Sequence, residues 1–193
     1  DVEEGTNPGF LYQQNTMRDA IVAGLTLNIF NKHADRLMMA NIAQTVNVLQ
    51  AVLLTDGEKM VKTPTYYVFK MYKEHQENTL VGSYITTENI KSDNDNKTFP
   101  QLVESASVDE NGTIYSTVTN TSSTKSAKIK CQVADTKVES ITAEILTGEC
   151  HQKNDFDDAD NVKTVEFTDF RKLKDGFTAT IPACSVVKFV INK

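Results

Sequence analysis

The side chains best placed to meet a small polar ligand are two amides, Gln44 and Asn47, near the end of an otherwise apolar stretch. Leu37-Met38-Met39-Ala40 leads into Asn41-Ile42-Ala43-Gln44-Thr45-Val46-Asn47-Val48-Leu49-Gln50, so a buried-looking segment closes on groups that both donate and accept hydrogen bonds. A short apolar run bounded by polar residues predicts a strand over 37–46, covered on both faces as in parallel sheets. Amides at the carboxyl end of such a strand suit two roles. They can hold substrate at the rim of a barrel of alternating strands and helices, or satisfy the strand's own backbone groups. The spacing fits both and by itself leans to the second.

The nucleophiles and metal-binding residue types form no constellation. Cys131, Cys150 and Cys184 are odd in number, widely spaced and without a C-x-x-C pair, which argues against a disulfide framework and against a zinc site. Cys131 and Cys184 fall in alternating apolar runs, as small core residues do. His33, His75 and His151 lie far apart with no second ligand at metal spacing, and nothing pairs one of them with a cysteine for catalysis. The run Asn154-Asp155-Phe156-Asp157-Asp158-Ala159-Asp160-Asn161 lacks the glycine and terminal glutamate of an EF-hand loop, so an acidic surface loop is expected there rather than a calcium site. The sequons at Asn96, Asn111 and Asn120 arise easily by chance in a chain rich in Asn, Ser and Thr. No cofactor and no metal is expected.

The elements that must position these groups change character near residue 80. Thr16 and Asp19 form a capping box, and Met17, Ala20, Ile21, Gly24, Leu25 and Asn28 repeat at helical spacing, which predicts a helix from Thr16 to about Lys32. Val22, Ala23, Leu27 and Ile29 fill its other faces, so it should be buried over most of its girth. Asp56-Gly57 between two apolar runs predicts a hairpin. Thr63-Pro64 opens a second helix with an apolar stripe of Tyr67, Val68, Met71 and Tyr72, and His75 is expected at its end among free carbonyls. Beyond residue 80 the period becomes two: Ile114 to Val118, Ala127 to Val133, Ile141 to Ile145, Phe177 to Ile181 and Val187 to Ile191 alternate apolar with polar residues. Turn signals such as Asp109-Glu110-Asn111-Gly112 and Asp175-Gly176 separate them. Such one-sided strands at short intervals predict an antiparallel β-sandwich with its own core. The boundary should fall within 76–100, where Lys91 to Lys97 has the composition of a solvated loop.

Composition sets the limits. The chain has 193 residues, 39% hydrophobic and 24% charged, enough for one or two globular domains. Its net charge of −6 carries no basic block, so neither nucleic acid nor an anionic membrane is an expected partner. No apolar run approaches the ~20 residues that span a bilayer. The chain starts at Asp1 and shows no basic or apolar leader, so it is expected to be a processed or excised piece, with cytoplasm and export both left open.

Several long blocks, in order, resemble one family. Gly9-Phe10-Leu11-Tyr12-Gln13-Gln14-Asn15-Thr16-Met17-Arg18-Asp19-Ala20, Leu27 to Arg36, Met39 to Asn47, Leu54 to Met60 and Thr63 to Tyr72 are similar to the carboxyl-terminal part of glycoside hydrolase family 51 α-L-arabinofuranosidases, densely over 5–75 and more loosely beyond. The resemblance implies an α+β fragment: residues 1–79 as the last strand and flanking helices of a (β/α)8 barrel, and 80–193 as a jelly-roll-like β-sandwich. It implies a retaining mechanism on terminal arabinofuranosyl residues, with two glutamates held ~5 Å apart. Both are expected upstream of Asp1, and Glu3 and Glu4 lie past the nucleophile's motif, so the isolated chain should be inactive. It also implies arabinofuranosyl oligosaccharides or polysaccharides, the remainder of the barrel, and a second copy of the intact enzyme as partners. On the same ground Gln44 matches the glutamine that hydrogen-bonds bound arabinose, which turns the balance toward the rim reading. Asn47, Thr63 and Tyr66 lie near that rim without an assigned role. The alternative is a sandwich that only braces the barrel or binds carbohydrate, the latter needing a platform of exposed aromatics.

Overall fold

The computed structural model describes residues 15–92, 95 and 97–193. The expectations that rest on Glu3, Glu4, the block 9–14 and the Asn96 sequon lie outside the described residues. Helix α1 runs over Met17–Lys32 and α2 over Pro64–Tyr72, with a hairpin of β1 (Leu53–Asp56) and β2 (Lys59–Lys62) between them. Eleven further strands follow: β3 Thr79–Val81, β4 Asn89–Lys91, β5 Thr98–Pro100, β6 Leu102–Val108, β7 Ile114–Asn120, β8 Ala127–Gln132, β9 Ser140–Thr147, β10 Val165–Glu166, β11 Phe170–Leu173, β12 Gly176–Ile181 and β13 Ser185–Asn192. They form a six-stranded sheet in the order β10-β9-β13-β7-β6-β3, a three-stranded sheet β11-β12-β8 and a small β4-β5 ribbon, with every named pair antiparallel.

Three layers result, because the large sheet is apolar on both faces. On one side it meets the small sheet, and Leu102, Ile114, Val118, Ile145, Val187, Phe189 and Ile191 close on Phe177, Ala179 and Ile181. Phe177 and Phe189 pack with ring centroids 4.3 Å apart. On the other side Val186 and Leu146 meet Met17, Ala20, Ile21 and Leu27 of α1 and Tyr67, Val68 and Met71 of α2. The period of two therefore divides β13 between two cores, Val186 toward the helices and Val187 toward the sandwich. Helix α1 can lie this close to the sheet because residue 24 is glycine: a Cβ there would come within 2.7 Å of Thr119 Oγ1.

Local chemistry accounts for the helix starts. The Asp19 carboxylate accepts the Thr16 backbone N–H at 2.8 Å and its hydroxyl at 3.1 Å, one half of the expected capping box. Its other oxygen accepts Gln50 Nε2 at 3.0 Å, so the helix start also anchors the following loop. Pro64 takes the first position of α2. Thr63 turns its hydroxyl away from that helix and donates to Ala51 O at 2.8 Å and Val52 O at 3.1 Å. The hairpin forms one residue later than its sequence signal. Asp56 pairs with Lys59, the turn is Gly57-Glu58, and Gly57 alone takes the positive φ, 55°.

Two expectations need correction. The strand predicted over 37–46 is not formed: the segment is irregular, with one parallel bridge from Val46 to Leu53, and Met38 and Met39 are 98% and 73% exposed. A strand covered on both faces needs neighbours on both edges, and the described residues offer it only that bridge. Helix α1 is likewise buried on one face rather than over most of its girth, with Val22 and Ile29 exposed.

Candidate functional site

Gln44 lies in this irregular segment. Its backbone N–H donates to Leu49 O at 3.1 Å, which ties residues 44–49 into a loop, and a cis peptide bond joins it to Ala43. Its side chain is exposed and makes no hydrogen bond to the described residues, so both amide donors and the acceptor are open to a ligand. The neighbouring polar residues differ. Asn47, at φ 59°, straps the hairpin: its Oδ1 accepts the Thr55 N–H at 2.7 Å, and its Nδ2 donates to Thr55 Oγ1 at 2.9 Å and Thr55 O at 3.1 Å. Thr63 is spent on Ala51 and Val52. Tyr66 is half-buried with Lys62 Nζ 5.6 Å from its ring centre. Of the four polar residues near the expected rim, Asn47 and Thr63 are occupied by their own structure, and Gln44 is open.

His75 and Asn154 serve packing. His75 ends the turn after α2 and is held by hydroxyls rather than carbonyls, with Nδ1 2.8 Å from Ser107 Oγ and Nε2 3.1 Å from Thr117 Oγ1. Burial, and then the nearby Lys188 ammonium, pull its pKa down to about 4, so the ring is neutral at pH 7. Thr117 gives its one proton to Asn28 Oδ1 at 2.7 Å, so His75 Nε2 carries the hydrogen toward Thr117. Asn28, fully buried, also accepts from Ser105 at 2.8 Å and donates to Val103 O at 2.9 Å and Thr119 Oγ1 at 3.3 Å. This polar seam between α1 and the large sheet was visible in the sequence only as an asparagine on an otherwise apolar helical stripe.

Asn154 in the acidic run is structural: it donates to Lys62 O at 2.8 Å and Val162 O at 2.7 Å, and Phe156 packs on Leu54 and Val61 of the hairpin. No group of three or more potential metal ligands occurs among the described residues. A cleft of about 830 Å³ opens elsewhere, between β6, β7 and β8 and under the 82–88 segment, and Gln44 is not in its wall. Tyr84, 87% exposed, stands at its edge without a second exposed ring beside it in the wall.

The chain is thus a helical layer on an antiparallel sandwich, with an open amide on a loop outside both cores. Residues 1–185 match the family model of the α-L-arabinofuranosidase C-terminal domain, and the chain belongs to that family. An intracellular exo-α-L-arabinofuranosidase of Bacteroides ovatus is 44% identical over 188 residues, 97% of this chain and 36% of that protein. The family 51 arabinofuranosidase structure from Xanthomonas axonopodis pv. citri superposes with a TM-score of 0.92 at 38% identity, covering 98% of this chain and 38% of that one. The arabinose complex of the Thermotoga maritima enzyme shares the fold, with a TM-score of 0.82 at 23% identity, over 96% of this chain and 40% of that one. The chain thus spans a little over a third of these relatives, and the family resemblance read from its sequence blocks holds.

Proposed function

We propose that this chain is the carboxyl-terminal portion of a retaining α-L-arabinofuranosidase that releases terminal arabinofuranosyl residues from arabinose-containing oligosaccharides and polysaccharides. The observation that carries the reading is the 44% identity to an exo-acting arabinofuranosidase across 97% of the chain. In this reading residues 1–79 complete the catalytic barrel and 80–193 form the bracing sandwich. The two catalytic glutamates are supplied upstream of Asp1. Gln44 is the contribution of this chain to substrate binding, where its amide meets sugar hydroxyls and fixes the ring between acid/base and nucleophile. The exposed Met38, Met39 and Val46, with Val22 and Ile29 on α1, are the surface that the rest of the barrel covers.

The test compares the 193-residue chain with the full parent protein on an aryl α-L-arabinofuranoside. The parent should hydrolyse it with retention at the anomeric carbon, and the chain alone should show no turnover. Turnover by the pure chain that disappears when one of its own carboxylates is replaced would overturn the assignment.

A further inference from the structure

Cys150 and Cys184 stand 34 positions apart in sequence, yet their sulfurs lie 3.4 Å apart. Both backbones are held in place. Cys150 O accepts the Arg18 N–H at 2.9 Å, Cys184 N–H donates to Ser122 O at 2.7 Å, and Cys184 O accepts the Thr147 hydroxyl at 3.2 Å. The two thiols differ in access, Cys150 half-buried and Cys184 only 3% exposed. The third cysteine, Cys131, sits in the sandwich core on the opposite face of the large sheet.

We propose that Cys150 and Cys184 form a dithiol oxidation site, closed to an intramolecular disulfide by low-molecular-weight disulfides of the glutathione type. The Cys150 thiolate attacks one sulfur of the reagent, forms a mixed disulfide and releases one glutathione thiolate. Cys184 then gives up its proton to that thiolate and attacks the Cys150 sulfur, expelling the second glutathione. Two protein thiols are oxidised and one disulfide is reduced to two thiols, so the step balances. Access sets the order, because the reagent reaches Cys150 first. Burial and the neighbouring sulfur push the Cys184 thiol up to about 12, which makes its deprotonation the slow half of the exchange. Closing the contact to the ~2.0 Å of a disulfide takes a side-chain rotation across little more than an ångström. The bond would tie the 148–152 turn, whose Cys150 and Gln152 carbonyls hold the first N–H groups of α1, to the β12–β13 turn. It would thus staple the helical layer to the sheet.

The experiment incubates the 193-residue chain with oxidised glutathione at mildly alkaline pH, then reads intact mass, an alkylated peptide map and the melting temperature. The proposal expects a mass lower by about 2 Da, a cross-link between the peptides of Cys150 and Cys184, and Cys131 still open to alkylation on unfolding. It also expects a melting temperature higher by roughly 5–15 °C, reversed by dithiothreitol, as suits closure of a loop of this length. Cys184→Ser should stop at a stable glutathione adduct on Cys150, and Cys150→Ser should leave Cys184 unmodified. A persistent adduct on Cys150 in the wild-type chain overturns the proposal, as does a cross-link through Cys131 or an unchanged mass. The wild-type map decides the matter even if a serine variant fails to fold.

Discussion

Replacing Asn28 probes the seam that joins the helical layer to the sandwich. Its side chain is fully buried and makes four hydrogen bonds, donating to Val103 O and Thr119 Oγ1 and accepting from Ser105 and Thr117. In Asn28→Ala the two hydroxyl donors can re-pair, because Ser105 Oγ lies 3.1 Å from Thr117 Oγ1 and the His75 ring can change tautomer, accepting from Thr117 at Nε2 and donating from Nδ1 to Ser107. The Val103 carbonyl and the Thr119 acceptor lose their donor. At about 1–3 kcal/mol for each orphaned buried group, with Thr119 the lesser because it keeps its own proton free to donate, the loss should be roughly 2–4 kcal/mol. For a chain of this size that lowers the melting temperature by roughly 5–15 °C. Asn28→Asp keeps the shape but replaces the Nδ2 donor with an acceptor facing Val103 O and buries a charge, so it should cost more than alanine despite its closer volume. Urea unfolding of the three proteins at pH 7 reads this directly. An alanine cost below about 1 kcal/mol, or an aspartate variant as stable as alanine, would refute the seam as a source of stability.

Two further perturbations separate roles that the sequence left together. His75 is held near pKa 4 in the folded chain against 6.5 for the free side chain, so between these values the unfolded state binds more protons. Stability should therefore hold above about pH 6.5, fall by up to about 3 kcal/mol toward pH 4 and level off below, and His75→Gln should remove that slope; a profile unchanged by the variant contradicts the buried neutral imidazole. Asn47→Ala should cost about 0.5–1.5 kcal/mol of stability, since it hands the exposed Thr55 N–H from its strap to water, and calorimetry of the variant would contradict the strap if the melting temperature did not move.

Much of the fold was legible because its signals are local. The alternation of β7, β8, β9, β12 and β13, the Thr16/Asp19 helix start, Pro64 at the first position of α2 and the glycine of the hairpin each depend on neighbours within a few residues. Strand β6 was hidden because Ser105 and Ser107 face the polar seam, and Glu104, bound to Lys32 at 2.6 Å and to Ser83, interrupts the opposite face, where Leu102, Ala106 and Val108 pack in the sandwich core. The segment 37–46 reads as a buried strand because its composition suits neighbours that the described residues do not provide. Long-range meetings left no trace at all: the Cys150–Cys184 contact joins residues 34 apart, and the His75 site joins the end of α2 to β6 and β7. Gln44 stood out by residue type, and only the family resemblance chose between its two roles. The structure adds that its neighbours Asn47 and Thr63 are already spoken for.

Gln44→Ala in the full parent enzyme, assayed for kcat/KM on an aryl α-L-arabinofuranoside and for melting temperature, tests the proposed function at the one residue this chain lends to it. Loss of an amide that holds the sugar should lower kcat/KM by an amount corresponding to roughly 1–3 kcal/mol of transition-state binding. The melting temperature should stay within about 1 °C, because the side chain is exposed and supports neither core. Full activity in a variant that melts far lower would contradict the account and make Gln44 a structural amide of its loop.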